Sequence, residues 1–313
     1  MVNSISICIC THNRSDLLSV LLCKLERMTV PGNIMTDVLI VDNLSTDDTR
    51  KVSSRFVEGN PGRFRYVFED KLGLSNARNR GLLESTSEII AFLDDDALPR
   101  DGWLEGLLEG YAEGNDVGVV GGQILLALPS FAAPLWFKKT LYCYFSEKEI
   151  HENSIVTCER ITDYPYGANI SFRRTLARDC GGFNSKLGRT GSQMLSGEET
   201  LLCSNIRKAG YRILINPKSI VDHYISKDRI RLKNLYEQAW NDGKCDFLLQ
   251  DEKPVPLATR HMLLNMLYNP FMRAVRFIEQ PITLSSTIAT GYGIVCDISS
   301  SFHRWKGTDR RGR

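Results

Sequence analysis

The sequence predicts an α/β protein: a doubly wound, mainly parallel sheet followed by a helical C-terminal extension. Two observations lead there. Short apolar runs alternate with amphipathic helical patterns through the first third of the 313 residues, and each run ends abruptly in polar residues. Beyond His223 the pattern changes to helical segments rich in basic and aromatic residues, such as "RIRLKNLYEQAWNDGKCDFLL".

The runs "SISICIC" at 4–10, "DVLIVDN" at 37–43 and "EIIAFLDDD" at 88–96 have the unbroken hydrophobicity of strands buried on both faces. Between them, "SDLLSVLLCKLERM" reads as a helix with Ser15 or Asp16 as N-cap. "STDDTRKVSSRFVEG" reads as a second, with an acidic first turn and a terminal glycine. Right-handed crossovers would bring the carboxyl ends of such strands to one sheet edge, where ligands of open α/β sheets bind. Thr11 to Arg14, Asp42 with Asn43, and Asp94 to Asp96 are therefore expected to be neighbours. In "DKLGLSNARNRGLLESTS" at 70–87, Gly73 precedes a helix starting near Ser75, whose free N–H groups would attract an anion, with Arg78 and Arg80 adding charge. An ordinary capped helix with a solvated basic face would look the same.

From Val117, "VGVVGGQILL" is strand-like, and "PSFAAPLWFKK", with Pro129 and Pro134, reads as a loop or broken helix carrying Trp136, a lid or acceptor-side insertion. "YPYGANISFRRTLARDCGGFN" supplies a turn at Gly167, a strand and a short helix ended by Gly181 and Gly182. "GEETLLCSNIRKAGYRILINP" supplies a helix from Glu198 to Lys208, ended by Gly210, and a further strand.

Hydrophobic residues make up 42% and charged residues 24%, with net charge +2, which is a soluble globular composition and not that of a generic nucleic-acid binder. "MVNSISICICTHNR" lacks the basic start and small-residue cleavage site of a secretory signal. The most apolar stretch, Pro281 to Phe302, is diluted by Ser, Thr, Gly and Asp297, so no membrane span is expected. Nine scattered cysteines fit reduced thiols in a cytoplasmic protein. Cys8, Cys10 and His12 alternate along the first strand and its turn, a pattern that packing explains at least as well as a metal.

The triplet Asp94, Asp95 and Asp96 is the feature that most needs a reason. Crowded carboxylates repel, and burial raises their pKa values, unless donors, solvent or a cation offset the cost. In order along the chain, "ICTHNR", "VLIVDNLSTDDT", "GLSNARNRG", "FLDDDALP", "YGANISFRR", "GGFN" and "GEETLL" strongly resemble glycosyltransferase family 2, of GT-A fold, over residues 4 to about 225. The resemblance implies a 1–225 catalytic domain, leaving 226–313 as a helical, basic extension. It also implies inverting transfer of a sugar from a nucleotide diphosphate donor, a UDP-sugar above all, to a hydroxyl of a glycan or lipid-linked saccharide. Mg²⁺ or Mn²⁺ would neutralise the leaving diphosphate.

By that resemblance Asp94 and Asp96 are the acids of a DxD motif, with Asp94 at the ribose or metal shell, Asp96 on the metal and Asp95 between them in a lesser nucleotide-sugar role. His223 is a further metal ligand, and neutral imidazole suits Mn²⁺. Asp42 would meet the nucleotide base, with Thr11, Asn13, Arg14, Asn43, Asn76, Arg78 and Gly167 framing the nucleotide sugar; Gly167, Ala168 and Asn169 resemble the segment that borders the acceptor and the donor sugar. Asn43 departs from the family, which often has a second Asp there. Glu199 is expected to be the base that takes the acceptor proton, with Glu198 the other candidate; both also suit the start of a helix. For the extension, an anionic membrane face, a homodimer contact and a solvated surface stay open. A sugar-phosphate nucleotidyltransferase is the rival enzyme, but "CICTHNRSD" lacks the Gly-rich loop such enzymes share. A non-catalytic sugar-nucleotide scaffold is the other rival, against which stand both the acids and the base.

Overall fold

The computed structural model describes residues 2–32, 34–128, 133–134, 136–191, 193–249 and 284–309. In chain order the elements are β1 (Ser4–Thr11), α1 (Ser15–Arg27), β2 (Met35–Asn43), α2 (Thr49–Gly59), β3 (Phe64–Glu69), α3 (Leu74–Glu84), β4 (Ile89–Asp94), β5 (Ala97–Pro99), α4 (Trp103–Ala112) and β6 (Val117–Ala127). There follow β7 (Val156–Thr157), β8 (Asn169–Arg173), α5 (Arg174–Asp179), β9 (Arg189–Thr190), β10 (Gln193–Met194), α6 (Glu198–Lys208), β11 (Arg212–Tyr224), α7 (Leu232–Leu249) and α8 (Leu284–Asp309). Expected segments at 258–280, part of the Pro129–Pro134 loop and the last four residues lie outside the described residues.

The chain divides into two compact units. The first comprises 1–127, 146–191 and 198–224, and its sheet runs β3-β2-β1-β4-β8-β6-β11-β5, with β7 also on β11. β1 is parallel to β2 and β4, β2 to β3, and β6 to β11. β8 runs antiparallel between β4 and β6, and β5 antiparallel on β11. Period-two alternation sorts the core. Ile5, Ile7, Ile9, Val38, Ile40, Ile89 and Ala91 pack with Leu18, Leu21, Leu22 and Leu25 of α1, Phe56 of α2, and Trp103, Leu104 and Leu107 of α4. Cys8, Leu39, Val41, Ile90 and Phe92 instead meet Ala77 and Leu82 of α3, Ala177 of α5, and Leu202 and Ile206 of α6. Helices on both faces make the sheet doubly wound.

α1 illustrates the local logic: its four buried leucines recur at i, i+3, i+4 and i+7, all 0% exposed, each burial stabilising by about 1.5–3 kcal/mol. Its N-cap is Arg14, with neither Ser15 nor Asp16 in that place. In α2 the acids precede the helix: Asp48 is the N-cap, and Asp47 accepts hydrogen bonds from the Thr49 amide at 3.0 Å and the Ser15 amide at 2.9 Å. α4 was not anticipated, because Gly106 and Gly110 interrupt its pattern. They serve close packing, since a Cβ on Gly106 would lie 2.7 Å from the Ser219 amide nitrogen of β11.

The second unit comprises 128–145, 192–197 and 225–313, so it takes in segments that the sequence places inside the first 225 residues. Contacts within it explain why. Tyr144, in a 3₁₀ turn at Lys139–Phe145, stacks on Tyr292 of α8 with centroids 3.9 Å apart, and its carbonyl accepts from Gln238 of α7 at 2.7 Å. Ser299 of α8 donates to the carbonyl of Trp240 of α7. Among the described residues no helix is long and apolar enough to cross a membrane.

Candidate active site

Parallel pairing places the ends of β1, β2 and β4 together, with Thr11 opposite Asp42 and Cys10 opposite Asp94. After β4 the chain does not turn back on its neighbour. It crosses through Asp95 and Asp96 to enter β5, which pairs with the end of β11, so that Ala97 faces His223. The carboxylate triplet therefore spans the sheet edge between β4 and β11.

Its three members face different ways. Asp94 Oδ1 lies 3.3 Å from Arg78 Nη2. Asp95 is 5% exposed and accepts from the Thr11 hydroxyl at 2.8 Å and from Arg14 Nη1 at 2.8 Å. Asp96 accepts from the same Arg14 nitrogen at 2.7 Å, its Oδ1 stands 3.2 Å from His223 Nε2, and its carbonyl accepts the Tyr224 amide at 2.8 Å. Burial pushes the Asp95 carboxyl up to about 6, with Asp96 adding to the rise while Arg14 and Thr11 oppose it. Burial works against the Arg14 charge, but Asp95 and then Asp96 raise its pKa. One guanidinium thus counters the repulsion between Asp95 and Asp96, while Asp94 turns to Arg78.

A second cluster forms where α3 meets α6. Arg78 is 3% exposed, and its Nη1 lies 2.5 Å from Glu198 Oε1 and 3.8 Å from Glu199 Oε2. Burial, then the neighbouring Glu199, push the Glu198 carboxyl up to about 8 against the pull of Arg78. Among the described residues, Glu198 Oε2, Glu199 Oε2 and His223 Nδ1 are buried without a hydrogen-bond partner. Gly167 borders this cluster, and a Cβ there would come 2.1 Å from Arg78 Nη2.

The loops after β1 and β2 are laced to each other. His12 Nδ1 is 2.6 Å from the Asn43 carbonyl oxygen, the Asn13 amide donates to Ser45 Oγ at 3.0 Å, and the Thr46 amide donates to Asn13 Oδ1 at 2.7 Å. Asn13 and Leu44 hold φ of 53° and 60°, left-handed conformations that Asn tolerates and that are uncommon for Leu. Asn43 donates to the Lys71 carbonyl at 2.7 Å and accepts from the Gly73 amide at 2.7 Å, fixing the start of α3.

Of the expected residues, Asp42, Arg78 and Asn169 are buried, while Asn76 is half-buried. Asp42 is 1% exposed, accepting from the Ser45 amide at 2.9 Å and the Tyr66 hydroxyl at 2.8 Å. Asn76 turns back to the Leu72 carbonyl at 3.1 Å, and Arg78 points inward. Asn169 is 0% exposed: it accepts from Trp103 Nε1 at 2.8 Å and donates to the carbonyls of Gln123 at 2.9 Å and Ser219 at 3.0 Å. Sequence reasoning missed Tyr66 and Trp103. The alternation in "RFRYVFE" and the need of a buried Trp or Tyr for a polar partner were the available signals.

Among the described residues no three His, Cys, Asp or Glu side chains are gathered closely enough to hold a metal by themselves. The pair Asp96 and His223 nonetheless offers a carboxylate and an imidazole, donors that Mn²⁺ accepts, leaving other positions to a ligand's phosphate oxygens.

The model of a family described as Glycosyl transferase family 2 matches residues 6–177. The chain is 25% identical over 244 residues to a glucosyl-dolichyl phosphate glucuronosyltransferase of Haloferax volcanii, covering 72% of this chain and 75% of that protein. It is 28% identical over 250 residues to the succinoglycan biosynthesis protein ExoM of Rhizobium meliloti, covering 80% and 76%. In fold it is similar to the mannosyltransferase PcManGT from Pyrobaculum calidifontis, solved in complex with GDP-Man and Mn²⁺. The TM-score is 0.61 at 18% identity, covering 99% of this chain and 87% of that one. It is also similar to GalNAc-T7, solved with UDP, GalNAc and Mn²⁺, with a TM-score of 0.57 at 13% identity, covering 100% of this chain and 58% of that one. The mainly parallel sheet is therefore of the GT-A type.

Proposed function

This chain belongs to glycosyl transferase family 2, and we propose that it moves a sugar, with inversion, from a UDP-sugar to a hydroxyl of a glycan or lipid-linked saccharide. The observation that carries this reading is that Glu198 and Glu199 are joined through Arg78 to Asp94, the first acid of the triplet Asp94 to Asp96.

In this reading Glu199 takes the proton of the acceptor hydroxyl as that oxygen bonds to the anomeric carbon. The bond to the diphosphate breaks on the opposite face, its electron pair leaving with the phosphate oxygen. Each glutamate carries an Oε2 without a hydrogen-bond partner, and Glu199 suits the part because its side chain is 13% exposed, whereas Glu198 is 4% exposed with its Oε1 bonded to Arg78. Asp96 and His223 would hold Mg²⁺ or Mn²⁺, with Asp94 beside them at the donor. Such an ion stabilises developing negative charge on a leaving diphosphate. Thr11, Asn13, Arg14 and the Asp42–Asn43 loop would frame the nucleotide. The described catalytic unit is extended by the helices beyond residue 225, which we assign to the acceptor, a second copy or a cytoplasmic membrane face.

The relatives support the acceptor class, since one acts by name on glucosyl-dolichyl phosphate and another in succinoglycan biosynthesis. The solved neighbours carry GDP-Man or UDP together with Mn²⁺. A panel of nucleotide sugars, incubated with and without Mn²⁺, tests the proposal. Release of a nucleoside diphosphate that needs the ion is expected. Release of pyrophosphate, or no release from any donor, would overturn it.

A further inference from the structure

We infer that Arg78 is a positioning residue, a buried brace that ties the end of β4 to the start of α6 and so fixes the Glu199 carboxylate, and that Gly167 is glycine in order to seat it. This rests on the reading of Glu199 as the acceptor base.

The helix pattern already turns Arg78 inward. Ser75, Arg78 and Leu82 recur on the face of α3 that packs against the sheet, and all three are buried. A guanidinium keeps its charge at any ordinary pH, so burying one requires anions with good geometry. Three carboxyl groups from two elements face it: Glu198 at 2.5 Å and Glu199 at 3.8 Å on Nη1, and Asp94 at 3.3 Å on Nη2. The ring of Phe183 closes one side, with its centroid 5.6 Å from Cζ. Gly167 closes another, so closely that any side chain there would displace Nη2.

With 3% of its side chain exposed and both Nη1 and Nη2 turned to carboxyl oxygens, Arg78 presents little surface to a phosphate or sugar. Its effect is exerted through its partners. Glu198 takes the short bond and anchors the brace, while Glu199, one residue on, is held at a distance that leaves Oε2 unbonded. The other titratable groups around this cluster are Asp94 on β4, Cys8 and Cys10 on β1, Arg189 on β9 and Cys203 on α6. Of the positive groups named, only Arg78 lies within ion-pair distance of Glu199.

The test uses the full chain and the variants Arg78→Lys, Arg78→Gln, Gly167→Ala and Glu198→Gln. Affinity for UDP and for GDP with Mn²⁺ is read by calorimetry, and kcat and KM by product release. In Arg78→Gln and Gly167→Ala, kcat is expected to fall about 100-fold, the cost of a misplaced group, while nucleotide affinity holds within about threefold. Arg78→Lys, which keeps a cation at the same place, is expected to restore part of the lost kcat. A loss of nucleotide affinity of about tenfold or more with kcat intact would overturn the brace and make Arg78 a ligand contact. If Arg78→Gln does not fold, Gly167→Ala carries the test, since it displaces the guanidinium without deleting it. If the native chain transfers no sugar, the transferase reading fails on its own. The brace is then read by a double-mutant cycle in chemical unfolding between Arg78→Lys and Glu198→Gln at about pH 9, above the Glu198 value of about 8. Additivity there would overturn it.

Discussion

His223 Nε2 stands 3.2 Å from Asp96 Oδ1, with both side chains buried, 4% and 7% exposed. A hairpin does not explain this meeting; it exists because the chain leaving β4 crosses to pair with the far end of β11. If the pair holds a divalent ion with the donor's phosphates, either Asp96→Asn or His223→Ala should remove the stimulation of nucleotide binding by Mn²⁺. Each loss should be about 10- to 100-fold, with nucleotide binding in the absence of metal little changed. Calorimetric titration of UDP and GDP, with Mn²⁺ and with chelator, measures both quantities, and equal losses in the two conditions would contradict the assignment.

Glu199→Gln keeps the shape of the side chain and removes its capacity to take a proton. Turnover should drop by about 10²- to 10⁴-fold, while nucleotide affinity and acceptor KM stay near the native values. Steady-state kinetics together with calorimetry decide it. Intact turnover would move the base elsewhere, Glu198 being the next group along the helix.

Glu198 makes a prediction about stability. Its carboxyl is raised from 4.5 to about 8, so between those values the folded protein holds a proton that the unfolded chain releases. Fewer protons on the unfolded chain means that stability falls as pH rises through the window and levels off beyond it. Glu198→Gln cannot ionise and should lack this fall, so its melting temperature should gain on that of the native protein from about pH 5 to about pH 8. Thermal melts across that range check the sign; a variant melting temperature that falls relative to the native one as pH rises would refute it.

What could be read from the sequence follows the physics of each element. β1, β2 and β4 are buried on both faces and announce themselves as unbroken apolar runs, and α6 is bounded by an acidic start and a glycine stop as expected. β3 went unnoticed, being a short alternating segment between helices, and so did β5, which is three residues long. The antiparallel insertion of β8 depends on long-range pairing that no local pattern encodes. For the site, the residue types at the strand ends were legible because right-handed crossovers gather them. The direction each side chain takes was not. Arg78, Asn76 and Asp42 all carry polar groups that either water or a neighbour could satisfy, and only the packed neighbours, Glu198, Leu72 and Tyr66, decide between them.

Asn169 is the sharpest instance, and it can be tested. Its segment borders the expected donor and acceptor sites, yet its amide is fully enclosed, with three hydrogen bonds to Trp103, Gln123 and Ser219. Asn169→Ala would leave a buried indole N–H without its acceptor and two carbonyls without their donor. Each such group costs about 1–3 kcal/mol when buried and unbonded, although one water entering the space would recover part of it. The variant should therefore lose about 3 kcal/mol in chemical unfolding while its folded fraction keeps the native acceptor KM. An Asn169 that touched the acceptor would give the reverse: little loss of stability and a raised KM.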